Sequence, residues 1–151
     1  MRVFSTQGIQ RELLSQAHPV VTMAGYENFM AVIYHSGPSF LGCQSLRVKI
    51  MNMETRDCRV LIDADCAITP GSVLTWMGFS EEGQIFTYDS DGILRSFSYT
   101  TQSWSVRLSF DTIRQRLQDS VRSIWIVGIS DQEVLYIELG QDHEAPMLTQ
   151  K

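Results

Sequence analysis

Residues 74–97 read LTWMGFSEEGQIFTYDSDGILRSF, and this stretch decides the fold. Trp76, Gly78 and Phe79 lead into a turn at Glu81, Glu82 and Gly83. Ile85, Phe86 and Tyr88 form a second apolar-rich run, Asp91-Gly92 closes a second turn, and Ile93, Leu94 and Phe97 form a third. Asp-Gly between apolar runs predicts a type I′ hairpin, because that turn needs positive φ and Gly adopts it without steric cost. The stretch is therefore expected to be a three-strand meander. A meander buries one face and leaves edges unpaired, so it needs neighbours.

The neighbours read as copies. Gly25 precedes Tyr26 and a strand that carries Tyr34. Gly78 precedes Phe79 and a strand that carries Tyr88. Gly128 precedes Ile129, Ser130 and a strand that carries Tyr136. A period of about 50 residues made of short strands is the pattern of a β-propeller, with one four-stranded blade per repeat.

Working outward in chain order, Val3-Phe4 and Ile9 to Leu14 around a turn at Gly8 are expected to be the outer half of a blade. Val20 to Gly25 is a continuous apolar run, which predicts a strand buried on both faces. Glu27-Asn28 is its turn, Phe29 to His35 the next strand, and Gly37-Pro38 the break. Leu46, Val48 and Ile50 alternate with Arg47 and Lys49, and Arg56-Asp57 lies in the turn that follows. Val60, Ile62 and Ala64 alternate around Leu61 and Asp63 as a fourth, outer strand. Thr69-Pro70-Gly71 links to a second blade with strands at Val73 to Phe79, Gln84 to Asp89, Ile93 to Tyr99 and Ser103 to Leu108. Asp111 to Ser120, with Ile113 and Leu117 at i, i+4 spacing, is open between a short helical excursion and a polar connecting loop. Ser123 to Gly128 and Val134 to Leu139 are the inner half of a third blade, and residues 141–151 are a polar tail. The expectation is one partial all-β domain over residues 1–151. It is a propeller fragment of about three blades' worth of four-stranded antiparallel sheet that starts and ends mid-blade. Propellers close with about four to eight blades, so the ring is expected to be completed by a longer polypeptide or by association.

Composition excludes several function classes. At 151 residues, 44% hydrophobic and 19% charged, the chain can bury a globular core. Its longest apolar runs fall far short of the roughly 20 residues that span a bilayer. Met1 to Thr6 has no apolar signal core. A net charge of −5 argues against a nucleic-acid grip, which needs clustered Lys and Arg. The most basic stretch, Arg107 to Arg122 with Arg114 and Arg116, is diluted by Asp111 and Asp119. Cys43, Cys58 and Cys66 are odd in number and lack Cys-x-x-Cys spacing, which points to a reducing compartment rather than zinc or disulfides.

No catalytic constellation emerges. A catalytic reading needs a nucleophile, a base and an orienting group. His18, His35 and His143 are far apart and read as surface or turn residues. Cys43, after Gly42, has no fixed base beside it and reads as a small buried thiol. Asp89-Ser90-Asp91-Gly92 resembles the start of a calcium loop, but Ser98 stands where the closing Glu belongs. Asp63 and Asp65 share a side of their strand by parity, where ordinary solvent-facing charge is the simpler reading. Residues 37–42, GPSFLG, lack the Lys and following helix of a phosphate loop. Catalytic, cofactor-binding and metal-binding residues are each expected to be none. Trp76, Phe79, Tyr88, Trp104 and Trp125 read as packing residues, each worth about 3–5 kcal/mol on truncation in a core. Gly78, Gly83 and Gly92 read as backbone-permissive positions.

These residues resemble the middle propeller of the replisome adaptor family: the WD-repeat and HMG-box DNA-binding proteins of animals and the minichromosome-loss and SepB proteins of fungi. The family pattern Tyr-His-x-Gly is matched by Tyr34, His35 and Gly37, and Phe-x-Gly-x-Gln by Phe40, Gly42 and Gln44. Its Trp-x-Gly-Phe-Ser-x-x-Gly is matched by Trp76, Gly78, Phe79, Ser80 and Gly83. Its Asp-Ser-x-Gly-x-Leu-Arg is matched by Asp89, Ser90, Gly92, Leu94 and Arg95. The likeness covers about residues 2–140. It departs where Ala67-Ile68-Thr69-Pro70 replaces a Leu-Pro-Leu-like motif, where Trp104-Ser105-Val106-Arg107-Leu108 lacks a Pro, and where Ile124-Trp125 replaces Tyr-Trp.

The resemblance implies a non-enzymatic nuclear scaffold in DNA replication. By that likeness it self-associates as a homotrimer and links DNA polymerase α–primase to the replicative helicase. Partner peptides in the family dock mainly on a helical domain that follows the propeller, so the resemblance assigns no partner-binding residue here. The competing reading is a free-standing propeller-like ligand-binding or enzymatic module, which needs a pocket with convergent polar groups. A third is an orphan product that folds poorly alone.

Overall fold

The computed structural model describes residues 1–39, 42–54, 58–114, 123–130, 132–140 and 146. The chain divides into two compact units, Met1–Ala67 and Ile68–Lys151. The division falls beside the Thr69-Pro70-Gly71 link read from the sequence.

The first unit holds two antiparallel sheets. β1 (Arg2–Phe4) pairs with β2 (Gln10–Leu13), and the connection turns at Gly8, whose φ is +80°. β3 (Val20–Tyr26), β4 (Phe29–His35), β5 (Leu46–Asn52) and β6 (Arg59–Asp65) form a four-stranded sheet in chain order. β4 and β5, each flanked by two partners, carry the core: Ala31, Val32, Ile33, Val48 and Ile50 are buried.

Two expectations fail here. The run Val20 to Gly25 is not buried on both faces, because β3 is an edge strand paired only with β4 and leaves Val20 and Met23 exposed. The strand enclosed on both faces is β4. Nor does Val60 share a face with Ile62. Ile50 pairs with Ile62 while Met51 pairs with Val60, so Leu61 is an extra residue and the bulge reverses the alternation beyond it. Arg56-Asp57 lies outside the described residues.

The second unit repeats the plan. β7 (Leu74–Phe79), β8 (Ile85–Asp89), β9 (Ile93–Ser98) and β10 (Ser103–Ser109) form a four-stranded antiparallel sheet in chain order. A single turn of helix, α1 (Phe110–Arg114), follows β10. This settles the start of the segment 111–120 as helical; Leu117 and the rest lie outside the described residues. β11 (Ser123–Ile129) and β12 (Val134–Leu139) form a two-stranded sheet. Phe86, Tyr88, Leu94, Phe110, Ile124, Ile126 and Ile129 join the two sheets in one buried cluster. The Glu81 N–H also donates to the Ile129 carbonyl at 3.3 Å.

The fold class is thus all-β, a propeller fragment whose described sheets have two, four, four and two strands in chain order. The three glycines occupy matching places: Gly25, Gly78 and Gly128 each stand next to last in the first strand of their sheet. The three tyrosines do not. Gly25 pairs with Met30, Gly78 with Phe86 and Gly128 with Leu135, so Tyr34, Tyr88 and Tyr136 stand four, two and one residues past these positions. A shared tyrosine marked the strand but not the register. The Asp91-Gly92 turn also differs from expectation. Gly92 has φ +77° but Asp91 is not among the positive-φ residues, and the Gly92 N–H donates to the Asp89 carbonyl at 2.9 Å. The turn spans Asp89 to Gly92 with one left-handed residue rather than the two a type I′ turn needs.

Candidate functional site

The most ordered polar constellation gathers around Asp89, at the end of β8. β8 is the most enclosed strand, and all five of its residues are buried. The carboxylate is therefore carried into the interior and must be satisfied there. Asp89 Oδ2 accepts from the Thr69 N–H at 3.0 Å, the Thr69 hydroxyl at 2.8 Å and Arg95 Nη1 at 2.5 Å. Asp89 Oδ1 accepts from the Ile93 N–H at 3.1 Å. Arg95 Nη2 donates to the Thr69 hydroxyl at 2.8 Å, which closes a three-residue ring of hydrogen bonds. Burial pushes the Asp89 pKa up. The Thr69 and Ile93 N–H groups, the Thr69 hydroxyl and Arg95 outweigh it and hold the carboxyl below its ordinary range.

The segment before β7 is pinned to the same turn. The Ser72 hydroxyl donates to the Thr69 carbonyl at 2.7 Å, the Val73 N–H to Ser90 Oγ at 3.0 Å, and the Ser90 N–H to the Val73 carbonyl at 2.9 Å. Each residue of the Asp-Ser-x-Gly-x-Leu-Arg motif now has a physical task. Asp89 and Arg95 form the clasp, Ser90 holds the entering strand, Gly92 turns the chain, and Leu94 fills the core. Asp89, the first residue of the calcium-like stretch Asp89 to Gly92, is engaged by internal donors. Among the described residues no group of three metal-ligating side chains converges.

The other sequence candidates are dispersed or structural. Asp63 and Asp65 do share one side, but they are not merely solvent-facing charge. Arg47 Nε reaches Asp63 at 2.8 Å and Arg47 Nη1 reaches Asp65 at 2.8 Å. Tyr34 Oη donates to Asp63 at 2.7 Å, and Lys49 lies 5.0 Å from the Tyr34 ring centroid. Burial pushes the Asp63 pKa up, but the Tyr34 hydroxyl, Arg47 and Lys49 outweigh it and hold the carboxyl below its ordinary range. His18 stacks on Tyr34 with ring centroids 6.2 Å apart, and the His35 N–H donates to the Pro19 carbonyl at 3.0 Å. No disulfide joins the cysteines; Cys58 and Cys66 are buried, and Cys43 is exposed, contrary to the buried-thiol reading. His143, Phe40, Arg116, Asp119 and Arg122 lie outside the described residues.

Two packing assignments change. Gly78 has no left-handed φ; its task is space, since a Cβ there would meet Trp76 Cζ2 at 2.5 Å. Trp125 is not core. It is 42% exposed and lines, with Trp76, Tyr88, Ser90 and Ser123, an open cleft of about 520 Å³. Burial pushes the Tyr88 phenol up to about 12, so it faces this cleft as a neutral hydroxyl. Sequence reading missed Thr69 as the third member of the clasp. Its only local sign was a hydroxyl residue just before Pro70-Gly71.

A sequence model of the family described as minichromosome loss protein, Mcl1, middle region, matches residues 1–151. The chain is 36% identical over 155 residues to "Protein ENHANCER OF LHP1 1" of Arabidopsis thaliana, covering 100% of this chain and 15% of that protein. It is 32% identical over 132 residues to the human "WD repeat and HMG-box DNA-binding protein 1", covering 87% of this chain and 11% of that protein. The Xenopus laevis protein of the same name is 32% identical over 131 residues, with the same shares. The chain therefore spans a small part of the length of these relatives. With its whole length matched, it belongs to the family of the middle region of minichromosome loss protein Mcl1.

Proposed function

We propose that this chain is a non-enzymatic scaffold segment of a nuclear DNA-replication adaptor. In this reading residues 1–151 act as one partial propeller domain with a polar tail at 141–151. The domain self-associates as a homotrimer, and the assembled protein links DNA polymerase α–primase to components of the replicative helicase. The observation that carries the proposal is the family match over the whole chain. The clasp supports it, because the family-motif side chains Asp89, Ser90 and Arg95 are engaged in holding the fold.

The test is binding and mass. Light scattering after gel filtration of the 151-residue chain should give the mass of three chains. A relative-length polypeptide bearing this segment should co-purify with polymerase α–primase and helicase subunits. Deleting the segment should lower its own mass to one chain and weaken simultaneous capture of both partners. Capture of both partners by a deletion variant that stays monomeric would refute the scaffold role.

A further inference from the structure

The sequence has four prolines, preceded by His18, Gly37, Thr69 and Ala145, so Thr69 is the one hydroxyl residue that stands directly before a proline. It lies in the link between β6, which ends at Asp65, and β7, which starts at Leu74. Thr69 to Ser72 form a tight turn: the Ser72 N–H donates to the Thr69 carbonyl at 3.0 Å, and Gly71 has φ +83°. Pro at the second position and a left-handed Gly at the third fit a type II turn, and the residue before a Pro is biased towards extended backbone. Ala67, Pro70, Gly71 and Val73 are exposed and Thr69 is half-buried, so the link lies at the surface. An extended Thr-Pro at a surface is the form in which proline-directed kinases take their substrates. The same hydroxyl is the centre of the Asp89 clasp. It donates to Asp89 Oδ2 at 2.8 Å and accepts from Arg95 Nη2 at 2.8 Å.

We infer that Thr69 is a phosphoryl-acceptor site for a proline-directed Ser/Thr kinase, and that its phosphorylation releases the clasp. The Thr69 oxygen attacks the γ-phosphorus of ATP and the bond from that phosphorus to ADP breaks. The hydroxyl proton passes to the catalytic carboxylate of the kinase. The esterified Oγ1 has no proton left to donate, so its hydrogen bond to Asp89 is lost. In its place stands a group of charge about −1.5 to −2, beside a carboxylate that is 1% exposed. Like charges at this range repel, and more strongly away from water. Arg95 cannot serve both: its Nη2 already touches Oγ1 while its Nη1 holds Asp89. The phosphate, with more charge and more acceptor oxygens, is the stronger partner for a guanidinium. Asp89 is left with the Thr69 and Ile93 N–H groups. The Gly92 N–H on the Asp89 carbonyl and the reciprocal bonds of Ser90 and Val73 belong to the same turn. Phosphate on Thr69 therefore loosens the turn of residues 89–92 and the entry to β7. Opening of the clasp also bares the hydroxyl, so the kinase acts on the opened link and the phosphate keeps it open.

The experiment treats the native 151-residue chain with a cyclin-dependent kinase and magnesium ATP, beside a peptide of residues 62–77 as the unfolded control. Native wild type should gain one phosphate, mapped to Thr69 by peptide mass spectrometry, and Thr69→Val none. Hydrogen exchange of the phosphorylated chain should show the Ser90 and Ile93 amides exchanging about tenfold faster or more than in the unmodified chain. In Asp89→Asn the repelled charge is gone, so the phosphate should change Ile93 exchange much less than in wild type. Wild type and Thr69→Val decide the site even where Asp89→Asn does not fold. A peptide that is modified while the native chain is not would show that the clasp shields Thr69, and would overturn the site. Modification of neither would do the same. Full phosphate on Thr69 with Ser90 and Ile93 exchange unchanged would overturn the release. An equal change in Asp89→Asn would overturn its electrostatic cause.

Discussion

Arg95 Nη1 lies 2.5 Å from Asp89 Oδ2, and the Asp89 side chain is only 1% exposed. A buried carboxylate is tolerated because four donor contacts surround it. Removing one partner strands the other charge. Arg95→Met is therefore expected to lower unfolding stability by about 3–5 kcal/mol, as for other broken buried pairs. Thr69→Val, which removes a neutral bridge, should cost about 1–3 kcal/mol. Urea unfolding of the 151-residue chain checks both, and an Arg95→Met loss below that of Thr69→Val would contradict the clasp.

The same geometry sets an acid limit. Asp89 and Asp63 both have folded pKa values held below their ordinary range. For a depressed carboxyl, the stabilisation is present above the unfolded pKa, about 4, and is lost as pH falls through the folded value. The urea midpoint should thus be flat across neutral pH and decline below about pH 4. Asp89→Asn should start lower and decline less steeply over the acid range.

Gly92 and Gly8 make a matched pair of left-handed glycines, with φ of +77° and +80°. A Cβ on Gly8 meets nothing within 4 Å, whereas on Gly92 it meets Phe110 Cβ at 2.5 Å. Gly8→Ala should cost only the left-handed penalty of about 1–2 kcal/mol. Gly92→Ala should cost that plus about 1–3 kcal/mol of overpacking. Equal losses in thermal or urea unfolding would mean that α1 is not seated on the turn.

The three thiols should separate by access. Cys43 is exposed, while Cys58 and Cys66 are buried. Native protein treated with iodoacetamide should gain one adduct quickly, mapped to Cys43 by peptide mass spectrometry. The other two should label only after denaturation. Fast labelling of Cys66 in native protein would contradict its burial at the end of β6.

Much of this fold was legible in the sequence because its signals are local. Period-two alternation marked β5, Gly83 and Gly92 marked turns, and the spacing of Gly25, Gly78 and Gly128 marked the repeat. Those features depend on backbone sterics and on side-chain parity, which a residue carries with it wherever it lies. The alternation failed at Val60 because one extra residue, Leu61, reversed the parity, and a bulge leaves no local signature in an apolar strand. Tyr34, Tyr88 and Tyr136 do lie in the strands expected for them, but their registers differ, since register is set by pairing and not by residue type.

The candidate site depended on distance in space. Asp89 and Arg95 are visible as a motif, but Thr69 is 20 residues from Asp89 and joins it only through tertiary hydrogen bonds. Arg47 joins Asp63 and Asp65 across strands in the same way, and so turned apparent surface charge into a network. By itself the sequence determined the all-β repeat, its order of two, four, four and two strands and the family to which it belongs. Only the tertiary structure decided which strands are edges, which aromatic residues meet solvent and which polar residues meet one another. Burial and hydrogen-bond partnership belong to neighbours in space, and neighbours in the chain do not specify them.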